Sequence, residues 1–447
     1  MASSSTATSS GNQTPTNQAL SSLPLSERVF SWHEHASLWF SLGVGLLVMQ
    51  MGAYLVPAVG TRDAALAIAL GTAIGAGLLA WTAKLGADSG LTSAGLMHQT
   101  YGSLFARLPV LLNIAQLIGW TTFELVIMRD GTAAIGKQSF GLALDGAAGN
   151  AATTLLWGAV LTLLLMGSMT QLVRKVIGRY GLPLVIASLV WLSWQFGARV
   201  QANGLDAFVS RAGDGSMGLL SAMDLVIAMP VSWLPLVADY ARFGKSGKGA
   251  FSGTWIGYAV ANIWCYALGV MVASLSAPDA DLVNTLLLAQ GGLIALSLIL
   301  VDEIDNAYGD VYSGAVSSHS LLPKVSIRTW GMALAVLCTG LALVLPMRGL
   351  EPFLLILSSV FVPLYGVILG RLGFGNVGSA MPSIKVDYTA AFIWLFGFVM
   401  FTVISGQLQQ VGITLFQQIT DMAPKWGATL PTLLVTGVLA IATRKRA

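Results

Sequence analysis

The stretch Ala228-Met229-Pro230-Val231-Ser232-Trp233-Leu234-Pro235 lies inside an apolar run of membrane length, about 218–240. Each proline removes a backbone donor and clashes with the preceding turn, so this pair predicts an interrupted helix. Backbone left unpaired at membrane depth is tolerated only where protein or a water-filled cavity meets it. A second interruption is expected in the first apolar run, 37–58, where Leu46-Leu47-Val48-Met49-Gln50-Met51-Gly52-Ala53-Tyr54-Leu55-Val56-Pro57 contains Gly52 and Pro57. Two ordinary proline kinks would leave the same trace. Interrupted spans at matching positions of two halves are also the mark of an inverted-repeat transporter, with its site at the midplane.

Composition says what surrounds these runs. Of 447 residues, 55% are hydrophobic and 10% charged, and the mean hydropathy is +0.74. A soluble domain carries about 25% charged residues, and a disordered chain holds far less Leu, Val and Phe. Both classes are excluded, and lipid is the solvent for most of the chain. A net charge of +3 gives no argument for nucleic acid. Cys265 and Cys338 lie in apolar runs without metal-ligand spacing and read as small core residues. There is no HExxH, glycine-rich phosphate loop or GxSxG elbow, so nothing suggests an enzyme, a metal centre or a cofactor.

Residues 1 to about 26 are rich in Ser, Thr, Asn and Gln, do not read as a signal peptide, and are expected to form a disordered tail. About twelve membrane-length runs follow, near 37–58, 63–85, 107–128, 152–172, 180–198, 218–240, 253–275, 285–306, 329–346, 352–371, 388–406 and 428–443. The expected class is an all-α integral membrane protein. Its five-plus-five core covers 27–372, with repeats 27–200 and 201–372. Two peripheral helices and a basic end cover 373–447. Sixteen of the 23 Lys and Arg residues fall in one alternating set of connections, including Arg174, Lys175, Arg179, Arg242, Lys245 and Lys248. The other seven, such as Arg129 and Arg348, fall in the opposite set. Basic connections mark the cytoplasmic side. Both termini are therefore expected inside, in a bacterial cytoplasmic membrane, with the chain a monomer.

Charge inside a span costs about 2.5–3.5 kcal/mol per residue on insertion scales, so the acids that occur there are informative. The third run carries Asn113, Gln116, Trp120 and Glu124 at steps of three and four, on one helical face. Such a face must look into a bundle or cavity. A structural Glu paired with a cation is the alternative for Glu124, but few basic residues lie deep enough. The eighth run continues as Val301-Asp302-Glu303-Ile304-Asp305-Asn306-Ala307-Tyr308-Gly309-Asp310-Val311-Tyr312-Ser313. Asp302, Asp305 or Asn306, and Gly309 share one face; Glu303, Asn306, Asp310 and Ser313 share another. These carboxyls cannot all be ionised in a low dielectric. They bind a cation, hold protons, or reach water where the helix emerges. Asp239 and Arg242, three apart, are placed to pair at the cytoplasmic rim. The role of Asp224 stays open.

Gly119-Trp120-Thr121 with Glu124, Ser232-Trp233-Leu234-Pro235 through Asp239-Tyr240-Ala241-Arg242-Phe243, and Asp305-Asn306-Ala307-Tyr308 through Tyr312-Ser313 resemble the nucleobase:cation symporter-1 family in order and spacing. That family includes cytosine, hydantoin and allantoin permeases and hydroxymethylpyrimidine (thiamine precursor) transporters; Glu124 and the eighth run look closest to the last. The resemblance implies a flat heterocycle stacked between Trp120 and Trp233. It implies a polar ligand one turn beyond Trp120, often an amide in the family and here Glu124, and a contact from Asn306 or Asp310. With Gln116 and Gln50 these form the expected substrate set. In sodium-coupled members the cation lies between helix 1 carbonyls and helix 8 hydroxyls. Here Asp302 and Asp305, with Gly52 from the first run, are the expected cation set, and the acids add weight to proton coupling.

The residue chemistry is consistent with this. An ionised carboxylate accepts hydrogen bonds and donates none, so Glu124 favours a ring edge bearing N–H, such as a 4-aminopyrimidine, over the carbonyl edges of uracil. The expectation is a symporter for a planar aminopyrimidine, hydroxymethylpyrimidine foremost, with a cytosine or purine permease as the alternative. A membrane channel or receptor is a further alternative of a different class.

Overall fold

The computed structural model describes residues 17–168, 179–277, 282–345, 350–375, 377–378, 382–414, 417–418, 421 and 427–444. Among them the structure is helical, with one isolated β-bridge between Phe30 and Gly244. The helices of eight residues or more are α1 (Trp32–Ser41), α2 (Leu46–Ala58), α3 (Thr61–Ser89), α4 (Ser93–Tyr101), α5 (Arg107–Phe140), α6 (Ala147–Leu165), α7 (Leu182–Asn203), α8 (Leu219–Ser232), α9 (Leu234–Ala241), α10 (Gly247–Ser274), α11 (Gly292–Leu321), α12 (Ile327–Val344), α13 (Leu350–Leu372), α14 (Tyr388–Ile404) and α15 (Thr429–Ala442). Among the described residues, eight spans are long and apolar enough to cross a bilayer, or nine when the bent pair α1–α2 counts as one. α8 and α9 together make one of the eight. α11 is 30 residues long and carries the acid cluster. α14 and α15 have 17 and 14 residues, short of the roughly 20 that a perpendicular crossing takes.

The first span breaks, but not where its glycine and proline suggest. Helix α1 ends at Ser41, α2 starts at Leu46, and the two axes bend by 58°. The break is Leu42-Gly43-Val44-Gly45; Pro57 sits in the last turn of α2, after a non-helical Val56. Gly52 is helical, and its missing Cβ lets α2 lie directly on the Tyr266 carbonyl of α10. Gly269 of α10 meets the Met49 carbonyl in the same way. Close crossing through small residues is how membrane helices gain packing without a hydrophobic drive. Gly52 therefore serves helix contact, and the structure does not bring it to Asp302 and Asp305. The second break is where the prolines predict it, at Trp233 between α8 and α9.

Two runs outlast their apolar stretches. α5 continues to Phe140 and α11 to Leu321. Polarity ends an apolar run on paper, but the polar residues of α11 from Asp302 to Ser320 are buried against neighbouring helices, whereas Lys137, Gln138 and Ser139 at the end of α5 are exposed. α11 lies along α5, α12 and α7, and α10 along α1, α2 and α3. α14 and α15 pack on α13. Asp224, at the start of α8, accepts the backbone N–H groups of Ala428 and Thr429 and so caps α15.

Residues 1–16 of the expected tail, and Arg174 and Lys175, lie outside the described residues. Residues 17–26 are not a free tail. Asn17 donates to the Ser320 carbonyl (2.8 Å), Ser22 to that of Ser89 (2.6 Å), and Thr92 donates to the Ala19 carbonyl (2.5 Å). Arg28 binds the Ala87 carbonyl at 2.7 Å. This strap joins the ends of α3, α4 and α11. Arg242 reaches it through the Ser21 carbonyl at 3.3 Å, while Asp239 accepts the Ser93 N–H at 2.9 Å, at the start of α4. The expected Asp239–Arg242 partners thus serve two different contacts.

Candidate functional site

The polar stripe of α5 serves two purposes. At the break, the Leu236 N–H turns to the Trp233 carbonyl, and Pro235 has no N–H to give. The turned Leu236 N–H leaves the Ser232 carbonyl for another donor. Asn113 Nδ2 supplies the Pro235 carbonyl (2.9 Å) and Ser317 Oγ (3.1 Å). Gln116 Nε2 supplies the Ser232 carbonyl (3.2 Å) and Asn113 Oδ1 (2.9 Å). These two amides hold the broken helix together.

One and two turns further along, Trp120 and Glu124 line a cavity. Its other walls include Gly45 at the first break, Ser232 and Trp233 at the second, and Glu303, Asn306 and Asp310 on α11. Trp120, Glu124, Trp233, Asn306 and Asp310 of the expected substrate set come together here. Gln116 lies buried behind the wall, and Gln50 is exposed elsewhere on α2. The cavity is narrow, about 20 Å³, which is room for about one water. Admitting a heterocycle requires its walls to part.

Three polar atoms of the wall have no protein partner: Trp120 Nε1, Glu124 Oε2 and Asn306 Oδ1. A buried polar atom left unsatisfied costs about 1–3 kcal/mol. Three such atoms line this one cavity. Aromatic rings close in around it. Phe353 of α13 packs edge-on to Trp120, with centroids 5.3 Å apart, and Trp39 packs edge-on to Trp233 at 6.0 Å.

Glu303 is the charged wall residue that the expected site set omits. One oxygen accepts the Leu46 N–H at the open N-terminus of α2, where a free donor and the positive helix end favour an anion. The other accepts Asn306 Nδ2 at 3.1 Å. Asn306 also donates to the Val44 carbonyl at 3.3 Å. A Cβ on Gly45 would approach to 3.3 Å from the Glu303 carboxyl, so glycine there keeps the carboxyl close to the break. The signal was present in the sequence: Glu303, Asn306 and Asp310 share one helical face.

Asp302 and Asp305 look the other way. Ser41 Oγ, at the last residue of α1, lies 2.9 Å from Asp302 Oδ1 and 3.3 Å from Asp305 Oδ2. The pair and the cavity therefore flank the same break from two faces of α11. Among the described residues, no group of three or more His, Cys, Asp or Glu could hold a metal ion.

Comparison with known proteins agrees with this architecture. A family model described as permease for cytosine/purines, uracil, thiamine and allantoin matches residues 22–372. Among solved structures, Mhp1, a nucleobase-cation-symport-1 family transporter in a closed conformation with bromovinylhydantoin bound, superposes with a TM-score of 0.68 at 13% identity, covering 96% of this chain and 97% of that one. The inward-facing conformation of Mhp1 gives 0.71 at 15%, covering 97% and 96%. A Na+-coupled sialic acid symporter in a substrate-bound outward-open state gives 0.61 at 10%, covering 98% and 95%. No curated protein sequence matches the chain.

Proposed function

The chain belongs to the family of permeases for cytosine/purines, uracil, thiamine and allantoin, and on that premise we propose that it is a secondary transporter importing a planar aminopyrimidine, hydroxymethylpyrimidine foremost, by cation symport. The cavity carries this reading: Trp120 and Trp233 share its walls with Glu124, Asn306 and Asp310. Indole faces hold any flat ring, at about 1–3 kcal/mol per base in nucleic-acid cases. Selection falls to the polar atoms. Glu124 Oε2 takes an exocyclic N–H, and Trp120 Nε1 and Asn306 Oδ1 take further ring-edge groups. A ring lacking those partners leaves buried groups unmet, which such sites discriminate against strongly.

Asp302 and Asp305, with Ser41 between them, form the proposed cation site. Alternating access opens the narrow cavity to either side, and two broken helices meeting at it provide the joints. That Mhp1 is known in a closed and an inward-facing conformation supports this part of the reading. The distribution of Lys and Arg supports cytoplasmic termini; a bacterial cytoplasmic membrane and a monomeric chain belong to the same proposal. Cytosine has the same amino and ring-nitrogen edge, and the family description includes it, so a cytosine permease is the second reading.

Uptake of labelled hydroxymethylpyrimidine into proteoliposomes, competed with unlabelled cytosine, uracil and adenine, tests the proposal. The aminopyrimidines are expected to compete and uracil to fail. Trp120→Ala is expected to reduce uptake tenfold or more, consistent with loss of about 1.4 kcal/mol or more of stacking. Competition by uracil equal to that of cytosine, or full uptake by the variant, rejects the site.

A further inference from the structure

Glu124 of α5 and Glu303 of α11 lie within hydrogen-bonding reach of each other. Two ionised carboxylates are both acceptors, so a bond between them requires one proton. Both Glu303 oxygens already accept hydrogen bonds, from the Leu46 N–H and Asn306 Nδ2. The proton of the pair is therefore assigned to Glu124. Glu124 is buried and lines the cavity, and its Oε2 accepts no N–H or O–H of the protein.

A neutral carboxyl offers an O–H donor beside a carbonyl acceptor. The edge of an aminopyrimidine offers the complement, a ring-nitrogen acceptor beside an exocyclic N–H donor. An ionised Glu124 would turn a lone pair toward the ring nitrogen. We propose that the proton held between Glu124 and Glu303, in place of a cation held by Asp302 and Asp305, is both the coupling ion and the group that recognises the ring nitrogen of the substrate. This rests on the aminopyrimidine reading above. Before loading, the Glu124 O–H donates to Glu303. On loading it turns to the ring nitrogen, while the exocyclic N–H donates to the Glu124 carbonyl oxygen. No covalent bond to the substrate changes. The proton enters from water on the loading side and leaves to water on the release side, one per substrate.

Among the described residues, no Lys, Arg or His lines the cavity beside this proton. On α11, Asp302 and Asp305 face Ser41, and Asp310 lines the same cavity. On α5, Arg129 is held by Asp130 (2.6 Å) and the Ala342 carbonyl (2.8 Å). Asp239 of α9 takes Ser93 N–H, Arg199 of α7 lies over Phe196, and His98 of α4 is near Arg107. α10 contributes Cys265 and Tyr258, and α12 contributes Cys338. α2 and α6 contain no charged side chain.

Purified protein in proteoliposomes decides between outcomes. Counterflow of labelled hydroxymethylpyrimidine without ion gradients scores the substrate reading alone. An inward proton gradient of one pH unit, without sodium, is expected to drive about tenfold accumulation in the wild type, since one proton per substrate carries that ratio. Glu124→Gln is expected to lower the ratio to about one. Accumulation driven by sodium alone at equal pH, or undiminished proton-driven accumulation in the variant, overturns the proposal. Infrared spectroscopy of the substrate-free wild type gives a readout independent of substrate and of variant folding. A protonated-carboxyl C=O stretch at neutral pH that shifts in D2O is expected, and its absence overturns the proposal even where counterflow succeeds.

Discussion

His98 stands on α4, buried, with neither ring nitrogen bonded to protein. Burial lowers its pKa from 6.5 to about 4, and the nearby Arg107 adds to the effect. In the unfolded chain the imidazole charges near 6.5, so between about 6.5 and 4 the unfolded state binds more protons. Stability is then full above 6.5 and falls as pH drops toward 4, by about 1.4 kcal/mol per unit. Thermal unfolding in detergent is expected to show a loss between pH 6.5 and 5 to which His98 contributes about 2 kcal/mol, and His98→Gln is expected to reduce the loss by about that amount. At this scale the sequence was informative where chemistry is local. Trp120, Glu124 and Asn306 stand out as polar or aromatic groups at helical spacing in apolar runs, and the cavity gathers them. Gln50 fits no such face and lies elsewhere.

Helix α5 shows why elements were easier to read than their joints. Its stripe of Asn113, Gln116, Trp120 and Glu124 is plain from spacing, and so is the proline break that it serves. The break between α1 and α2 is not. It has no proline, only Gly43 and Gly45, and its geometry is completed by Glu303, more than two hundred residues away along the chain. A contact of that range leaves no local signature. Gly52 and Pro57 drew attention because their effect is local, yet one serves packing and the other ends a helix. Asn113→Leu is expected to leave the Pro235 carbonyl and Ser317 without their donor, at a cost of about 1–3 kcal/mol in stability. Unfolding in detergent reads that loss. Competition among pyrimidines should keep its order in the surviving protein, because Asn113 lies outside the cavity wall.

At the scale of the whole molecule, residues 17–28 tie the ends of α3, α4 and α11 into one closed end. Opening that end means parting these bonds. Arg28→Ala removes the links to the Ala87 and Leu23 carbonyls and is expected to raise the rate at which a cysteine placed at Ser320 reacts with an aqueous thiol reagent several-fold. Both native cysteines are buried, so the background is low. The run order along the chain was legible because lipid imposes length and apolarity on nearly every span. The packed strap was not, since a Ser- and Asn-rich segment reads as solvated until carbonyls at helix ends are there to receive it. The division of α5 into a turn that secures the break and a turn that meets the cavity has an evolutionary consequence. A descendant can exchange Glu124 for another polar residue and acquire a different diet while Asn113 and Gln116 keep the joint intact. Divergence in what such proteins carry can therefore proceed without rebuilding the part that moves.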